Sequence, residues 1–168
     1  KNTKYTSIIG LLNQCKTKMG KRHVNELLMN PINNITKLED SYNIIEHMLK
    51  RNLDFDSELC KITDLEKILT KLKLNKITPS DIYDIVDSHT WMEKIIKKIN
   101  KKKDKLIIES FNIFKTQELW TSFVDYIMKI FQLNTCQQIN HLNFEKYENI
   151  TETLFQKEVN PKLDIFAV

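Results

Sequence analysis

Apolar residues recur along most of this chain at intervals of three and four, the spacing that lines up one face of an α-helix. Residues 6–14, TSIIGLLNQ, make a short apolar segment around Gly10. Residues 17–29 predict a helix with Thr17 as N-cap and Val24, Leu27 and Leu28 on one side. Pro31 ends it, because the residue before a proline is pushed out of the α region. A second helix is expected from Ile35 to Lys50, capped by Asn33 or Asn34. Ile35, Leu38, Tyr42, Ile45 and Leu49 give it a single three-four stripe. Thr63-Asp64-Leu65-Glu66 reads as a capping box that opens a third helix, Thr63 and Glu66 satisfying open backbone donors reciprocally. The stripe of that helix is Leu65, Ile68, Leu69 and Leu72. A fourth helix starts at Thr78-Pro79, where Thr78 caps and a proline at the first helical position loses no hydrogen bond. Ile82, Ile85, Val86, His89, Met92, Ile96 and Ile99 follow on one face, over about 20 residues or roughly 30 Å at 1.5 Å per residue. The segment 106–114, LIIESFNIF, is apolar but ambiguous. A fifth helix is expected over about 116–133, carrying Leu119, Trp120, Phe123, Ile127, Ile130 and Phe131.

Strand signals are weak. The chain has no Asn-Gly or Asp-Gly turn, and its two glycines cannot furnish many hairpins. NITETLFQKE (149–158), alternating and β-branched, is the one strand-like piece. No internal repeat is visible. The reading is an all-α fold of a single domain over residues 1–168, with one long helix and that short strand-like piece near the C-terminus.

Composition narrows the function classes. Apolar residues at 41% supply a core, and charged residues at 29% argue against a membrane protein. No run approaches the ~18 apolar residues that a spanning helix needs. The chain begins with Lys1 and shows no secretory pattern, so a piece of a longer intracellular protein is expected, its compartment open. Cys15, Cys60 and Cys136 are scattered and odd in number, which reads as reduced thiols. The Asn-x-Thr matches at Asn34 and Asn149 read as chance in an asparagine-rich chain. Of 26 basic residues only Arg22 and Arg51 are arginine, the side chain best suited to bidentate readout of bases and phosphates.

Catalytic chemistry finds little support. Gly10 and Gly20 stand ten apart, too far for a phosphate loop. His23, His47, His89 and His141 lie apart, with no HxxxH or CxxC, so no metal set is expected. His89 falls on an apolar stripe and reads as a satisfied core histidine. Lys97, Lys98, Lys101, Lys102, Lys103 and Lys105 could meet DNA phosphate in a salt-sensitive way. The preferred reading is the solvated end of a long helix, where lysines suit the dipole. No aromatic residues interleave them for stacking.

Residues 5–31, YTSIIGLLNQCKTKMGKRHVNELLMNP, resemble the start of the core, or lever, domain of the MutS family of DNA mismatch-recognition proteins. The family pattern is close to S-L-L-x-x-L-[DN]-x-[CT]-x-T-x-M-G-x-R-x-L-x-x-W-L-x-x-P. It is met at Ser7, Leu12, Asn13, Cys15, Thr17, Met19, Gly20, Arg22, Leu28 and Pro31, while Val24 and Leu27 replace a leucine and a tryptophan. NNITKLEDSYNIIEHML resembles the next helix, with the family's arginine absent near Asp40 or Ser41. ITDLEKILTKLKLNKITPSDI is similar to a third motif at Asp64, Leu65, Glu66, Leu69, Leu72, Pro79 and Asp81, with Lys67 and Lys71 replacing arginines. FQKEVNPKLDIF resembles the lead into the family's lever helix at Asn160, Leu163 and Asp164, with Glu158 in place of a glycine.

The resemblance implies a lever domain joining an ATPase to a DNA clamp, this chain ending before the clamp. It implies no catalysis, cofactor or metal here, with ATP and Mg²⁺ bound elsewhere in the parent. The parent would be a homo- or heterodimer that meets DNA through its other domains, with no membrane association. Two other readings stay open on residues alone: a free-standing all-α interaction module, and a basic helical nucleic-acid-binding domain using residues 97–105. The resemblance also offers a reason for Gly20, where a missing side chain would let another element approach closely. For Arg22 it favours an ion pair or carbonyl cap over a DNA contact.

Overall fold

Side-chain caps set where the helices begin. The computed structural model describes residues 7–140 and 153–159. Ser7 opens α1 (Ile8–Leu12) by accepting the Gly10 N–H, and Thr17 opens α2 (Lys18–Met29) by accepting the Gly20 N–H. Asn34 opens α3 (Ile35–Lys50) through the Lys37 N–H. A short α4 (Asp56–Leu59) precedes α5 (Leu65–Lys73), which is capped by Asp64 through the Lys67 N–H. The expected capping box at Thr63 and Glu66 is therefore corrected. The helix starts one residue later, and the Thr63 N–H donates instead to the buried Ser88 Oγ at 3.0 Å. A capping box does form at α6 (Pro79–Lys101), where Thr78 and Asp81, on either side of Pro79, satisfy each other's backbone donors.

Residues 106–114, ambiguous in sequence, divide between α7 (Lys105–Ser110) and the first turn of α8 (Ile113–Ile130). The fifth expected helix thus begins three residues early and ends at Ile130. A final short helix, α9, covers Leu133–Gln138. Of the strand-like piece expected over 149–158, residues 149–152 lie outside the described residues, and the rest makes one antiparallel bridge, Phe155 to Phe131, with ring centroids 5.3 Å apart. The described residues contain no strand.

Helix ends are made without glycine. Asn52, Asn75 and Lys103 follow the caps of α3, α5 and α6 in the left-handed region, at φ 48°, 54° and 50°, a conformation that glycine adopts most cheaply. Glu158, standing where the family pattern has glycine, is also left-handed at φ 68°.

The 23-residue α6 is the spine. Its N-terminal half packs Ile85 and Val86 with Ile68 of α5 and Val124 and Ile127 of α8. Its C-terminal half packs Ile99 with Ile107 and Ile113, and Ile44 and Met48 of α3 lean on this second cluster. His89 is buried on the same helix, its Nε2 3.4 Å from Thr121 Oγ1, as expected for a core histidine. Not every apolar stripe is inward. Leu69 and Leu72 of α5 and Leu119 and Phe123 of α8 are exposed, as is most of the α3 stripe. No residue of α1, α2 or α3 is fully buried.

Candidate functional site

Arg22 lies in the second turn of α2 and reaches the start of α5, joining two sequence motifs more than forty residues apart. Its Nη1 and Nη2 donate to the two carboxylate oxygens of Asp64 at 2.7 and 2.6 Å. Its Nε donates to Glu66 at 2.9 Å, and Nη2 also meets Glu66. This is the planar bidentate geometry that a lysine could not reproduce. Asp64 is buried by the fold yet ionised: the Arg22 hydrogen bonds hold its carboxyl at about 2, helped by the Lys67 N–H. The two carboxylates in turn raise the guanidinium further above its usual range. Arg22 thus makes the ion pair that its motif position suggests, and Glu66, freed from capping, is part of it.

The third motif closes on itself as well. Lys71, standing in place of an arginine, donates to both oxygens of Asp81 at 2.6 and 2.9 Å. Burial pushes the Asp81 carboxyl up, but Lys71 and the Thr78 N–H and hydroxyl outweigh it, leaving it below the ordinary value. A polar cleft of about 400 Å³ lies between these two ion pairs, with Lys67 and Asp84 also on its wall. Burial, Asp81 and Asp87 push the Asp84 carboxyl up. Of the charges on this wall Lys71 and Asp81 pair with each other, while Asp64 is held by Arg22 and Lys16 by Asp56. Among the described residues, no group of three His, Cys, Asp or Glu side chains could hold a metal ion.

A second fastening escaped the sequence reading. Asp104 is almost fully buried at the turn between α6 and α7, where it caps α7 through the Ile107 N–H. His47 Nε2 of α3 lies 2.9 Å from both its oxygens, and Arg51 stands 3.7 Å away. Burial pushes this carboxyl up, but His47, the Ile107 N–H and Arg51 together draw it below the ordinary value. The available signal was an aspartate directly before an apolar helical run, the pattern of an N-cap.

The lysine run is divided by the fold. Lys98 pairs with the buried Glu58 at 2.6 Å, and Lys97 pairs with Glu93 within α6. Lys102 donates to the carbonyls of Arg51 and Asn52, both at 3.0 Å, closing the end of α3. Lys103 occupies the left-handed turn, Lys101 ends α6 and Lys105 begins α7. The structure thus uses Lys98 and Lys102 to tie elements together.

The remaining motif residues differ in their surroundings. Thr17 caps α2, and a Cβ on Gly20 would lie 2.9 Å from Thr17 Oγ1 and 3.3 Å from Cys15 Cβ. The close approach at Gly20 is real, but it comes from the preceding turn and not from another helix, which corrects the expectation. Asn13 binds α1 to α2 by donating to the Lys21 carbonyl and Asn25 Oδ1. Met19 is half-buried, while Leu28 and Pro31 are exposed; Leu65 packs against the first core cluster and Pro79 is buried. Leu163 and Asp164 lie outside the described residues. Cys15, Cys60 and Cys136 are free thiols, and burial pushes that of Cys136 up to about 11. Asn34 spends its side chain on the α3 cap, and no helix among the described residues is long and apolar enough to cross a membrane.

Comparison with known proteins agrees with the family resemblance of the motifs. The family model described as MutS domain III matches residues 1–162. A MutS homologue of Acanthamoeba polyphaga mimivirus, described as a DNA mismatch repair protein, is 29% identical over 97% of this chain and 14% of its own length. The DNA mismatch repair protein MutS of Petrotoga mobilis is 28% identical over 58% of the chain and 12% of its own length. That of Borrelia turicatae is 31% identical over 50% and 10%. No solved structure matches the chain. The matched segment is therefore no more than 14% of the length of any of these relatives.

Proposed function

The chain belongs to the MutS family of DNA mismatch-repair proteins through its domain III, and from that premise we propose that it serves as the mechanical connector of a DNA mismatch-recognition ATPase. In this reading it carries no catalysis. It relays the nucleotide state of an ATPase elsewhere in the parent to the parent's grip on DNA, ATP and Mg²⁺ being bound outside this segment. The parent works as a homo- or heterodimer.

One observation carries the reading. A 23-residue spine runs through both apolar clusters, while α2 and α3 are fastened beside it by ion pairs at two separated places, Asp64 and Asp104. Coupling over distance needs a rigid element with two discrete arrangements. A charged fork is made or broken, and a close-packed apolar face likewise shifts between discrete packings.

The test is Arg22→Ala in the full-length protein. ATP affinity should change by less than about 2-fold, while the effect of DNA on ATP turnover should shrink by roughly 5- to 10-fold. Unchanged coupling would remove the connector role. ATP turnover by residues 1–168 alone would remove the non-catalytic one.

A further inference from the structure

The two apolar clusters along α6 do not meet flush. Trp120 of α8 leans on the first, while Ile96 and Ile113 belong with the second. Between them α6 and α8 leave a cavity of about 200 Å³ beside the middle of the spine. The buried His89 and Ile113 line it, with Met92 and Ile96 on one wall and Trp120 on the other. The Trp120 ring is held edge-on by Phe123, with centroids 5.7 Å apart. Phe111 and Thr116 are exposed at the rim. Glu93 also faces the cavity, and its ion partner is Lys97 at 3.4 Å, a side chain 74% exposed.

From these features we propose that the cavity is a binding site for a small aromatic amine, one ring or a fused pair of rings carrying an ammonium group. Volume sets the size. An apolar protein cavity of about 150 Å³ takes up benzene, whereas a drug-sized ligand needs ~300 Å³ or more. A cavity of about 200 Å³ lies between the two. The lining sets the class: Trp120 and Phe111 offer aromatic faces and edges, and Met92 offers a polarizable sulfur. Glu93 sets the charge. Its contact with Lys97 is long and mostly in water, so it holds little energy. A ligand ammonium replaces it with a charge-assisted hydrogen bond away from bulk water, and an anionic ligand meets a like charge. Size decides against a protein partner, because the wall exposes far less than the ~800 Å² that each side contributes to a stable interface. Since the cavity touches both clusters, its ligand binds the folded spine and not the unfolded chain. Occupancy does not depend on the connector role, and it is read without ATP or DNA.

The test is calorimetric titration of the full-length protein with tryptamine, indole and the anionic indole-3-propionate. Tryptamine should bind with a Kd on the order of 0.1 mM, about 10-fold tighter than indole, and indole-3-propionate should bind more weakly than either. Glu93→Gln should bring tryptamine to within about 2-fold of indole and leave indole unchanged. Thr116→Trp, at an exposed rim position, should fill the cavity and weaken tryptamine by at least about 10-fold. A photoreactive tryptamine should label the unaltered protein in the peptides that carry Met92 to Ile96 and Phe111 to Trp120, which decides the matter even where a variant fails to fold. Absence of saturable tryptamine binding overturns the proposal. So does indole-3-propionate binding as tightly as tryptamine, a tryptamine preference that survives Glu93→Gln, undiminished binding to a folded Thr116→Trp, or labelling only elsewhere in the polypeptide.

Discussion

The body around α6 and the arm formed by α1–α3 solve the same problem in opposite ways. The body buries its own apolar residues: Ile85, Val86, Ile99, Val124 and Ile127 are all within the core. The arm buries none fully, and it is held by Arg22 on Asp64 and Glu66 and by His47 and Arg51 on Asp104. Apolar burial is roughly proportional to area and indifferent to direction. A bidentate fork specifies both distance and orientation. The difference teaches that the arm is placed more sharply than it is stabilised. Its position should therefore respond to charge and pH more sharply than the body, which holds the Lys71–Asp81 and Lys98–Glu58 pairs but rests mainly on apolar burial.

Asp104 offers the largest break in that contrast. Asp104→Ala removes the α7 cap and the buried partner of His47, at an expected cost of about 3 kcal/mol by urea unfolding. Hydrogen exchange should then show α3 opening before α6. Arg22→Ala should cost clearly less than Asp104→Ala by the same measurement, because half of the guanidinium is in water. Its mark is selective: faster exchange in α2, with α6 and α8 unchanged. Equal loosening of both regions would erase the distinction between arm and body.

Acid should separate the two regions in the same sense. Asp64 and Asp104 have carboxyls held below their unfolded value of about 3.9. Their contribution is complete above about pH 5 and is lost as pH falls through the folded values, near 2 for Asp64. Exchange in α2 and α3 should rise between pH 4 and 2 ahead of the body. The smallest effects are backbone ones. Glu158→Gly and Lys103→Gly, each relieving a left-handed residue, should raise stability by about 0.5–1 kcal/mol in thermal melts. Gly20→Ala should lower the melting temperature slightly, since its Cβ displaces the Thr17 cap by more than helix propensity returns.

Local chemistry made much of this legible. Thr17, Asn34 and Thr78-Pro79 carry helix starts in their own side chains, and the structure places those starts where the residues do. The box at Thr63 misled because Asp64, one residue on, is an equally good cap, and Glu66 had a stronger partner in Arg22. The α3 stripe was visible, but periodicity reports that a face is apolar and not which body covers it. The Arg22 fork spans 42 residues of sequence, so only the family motifs hinted at it. Asp104 with His47, 57 apart, had no such hint.

The length of α6 has a geometric consequence. At 1.5 Å per residue a 23-residue helix is about 35 Å long. Tilting such a rod by about 5° at its Pro79 end swings the Lys101 end through about 3 Å. That displacement matches the reach of one hydrogen bond, and the turn holding α3 through Lys102 and Asp104 stands at the swinging end. A change of angle too small to disturb the packing near Ile85 is amplified there into the difference between a joined and a parted contact.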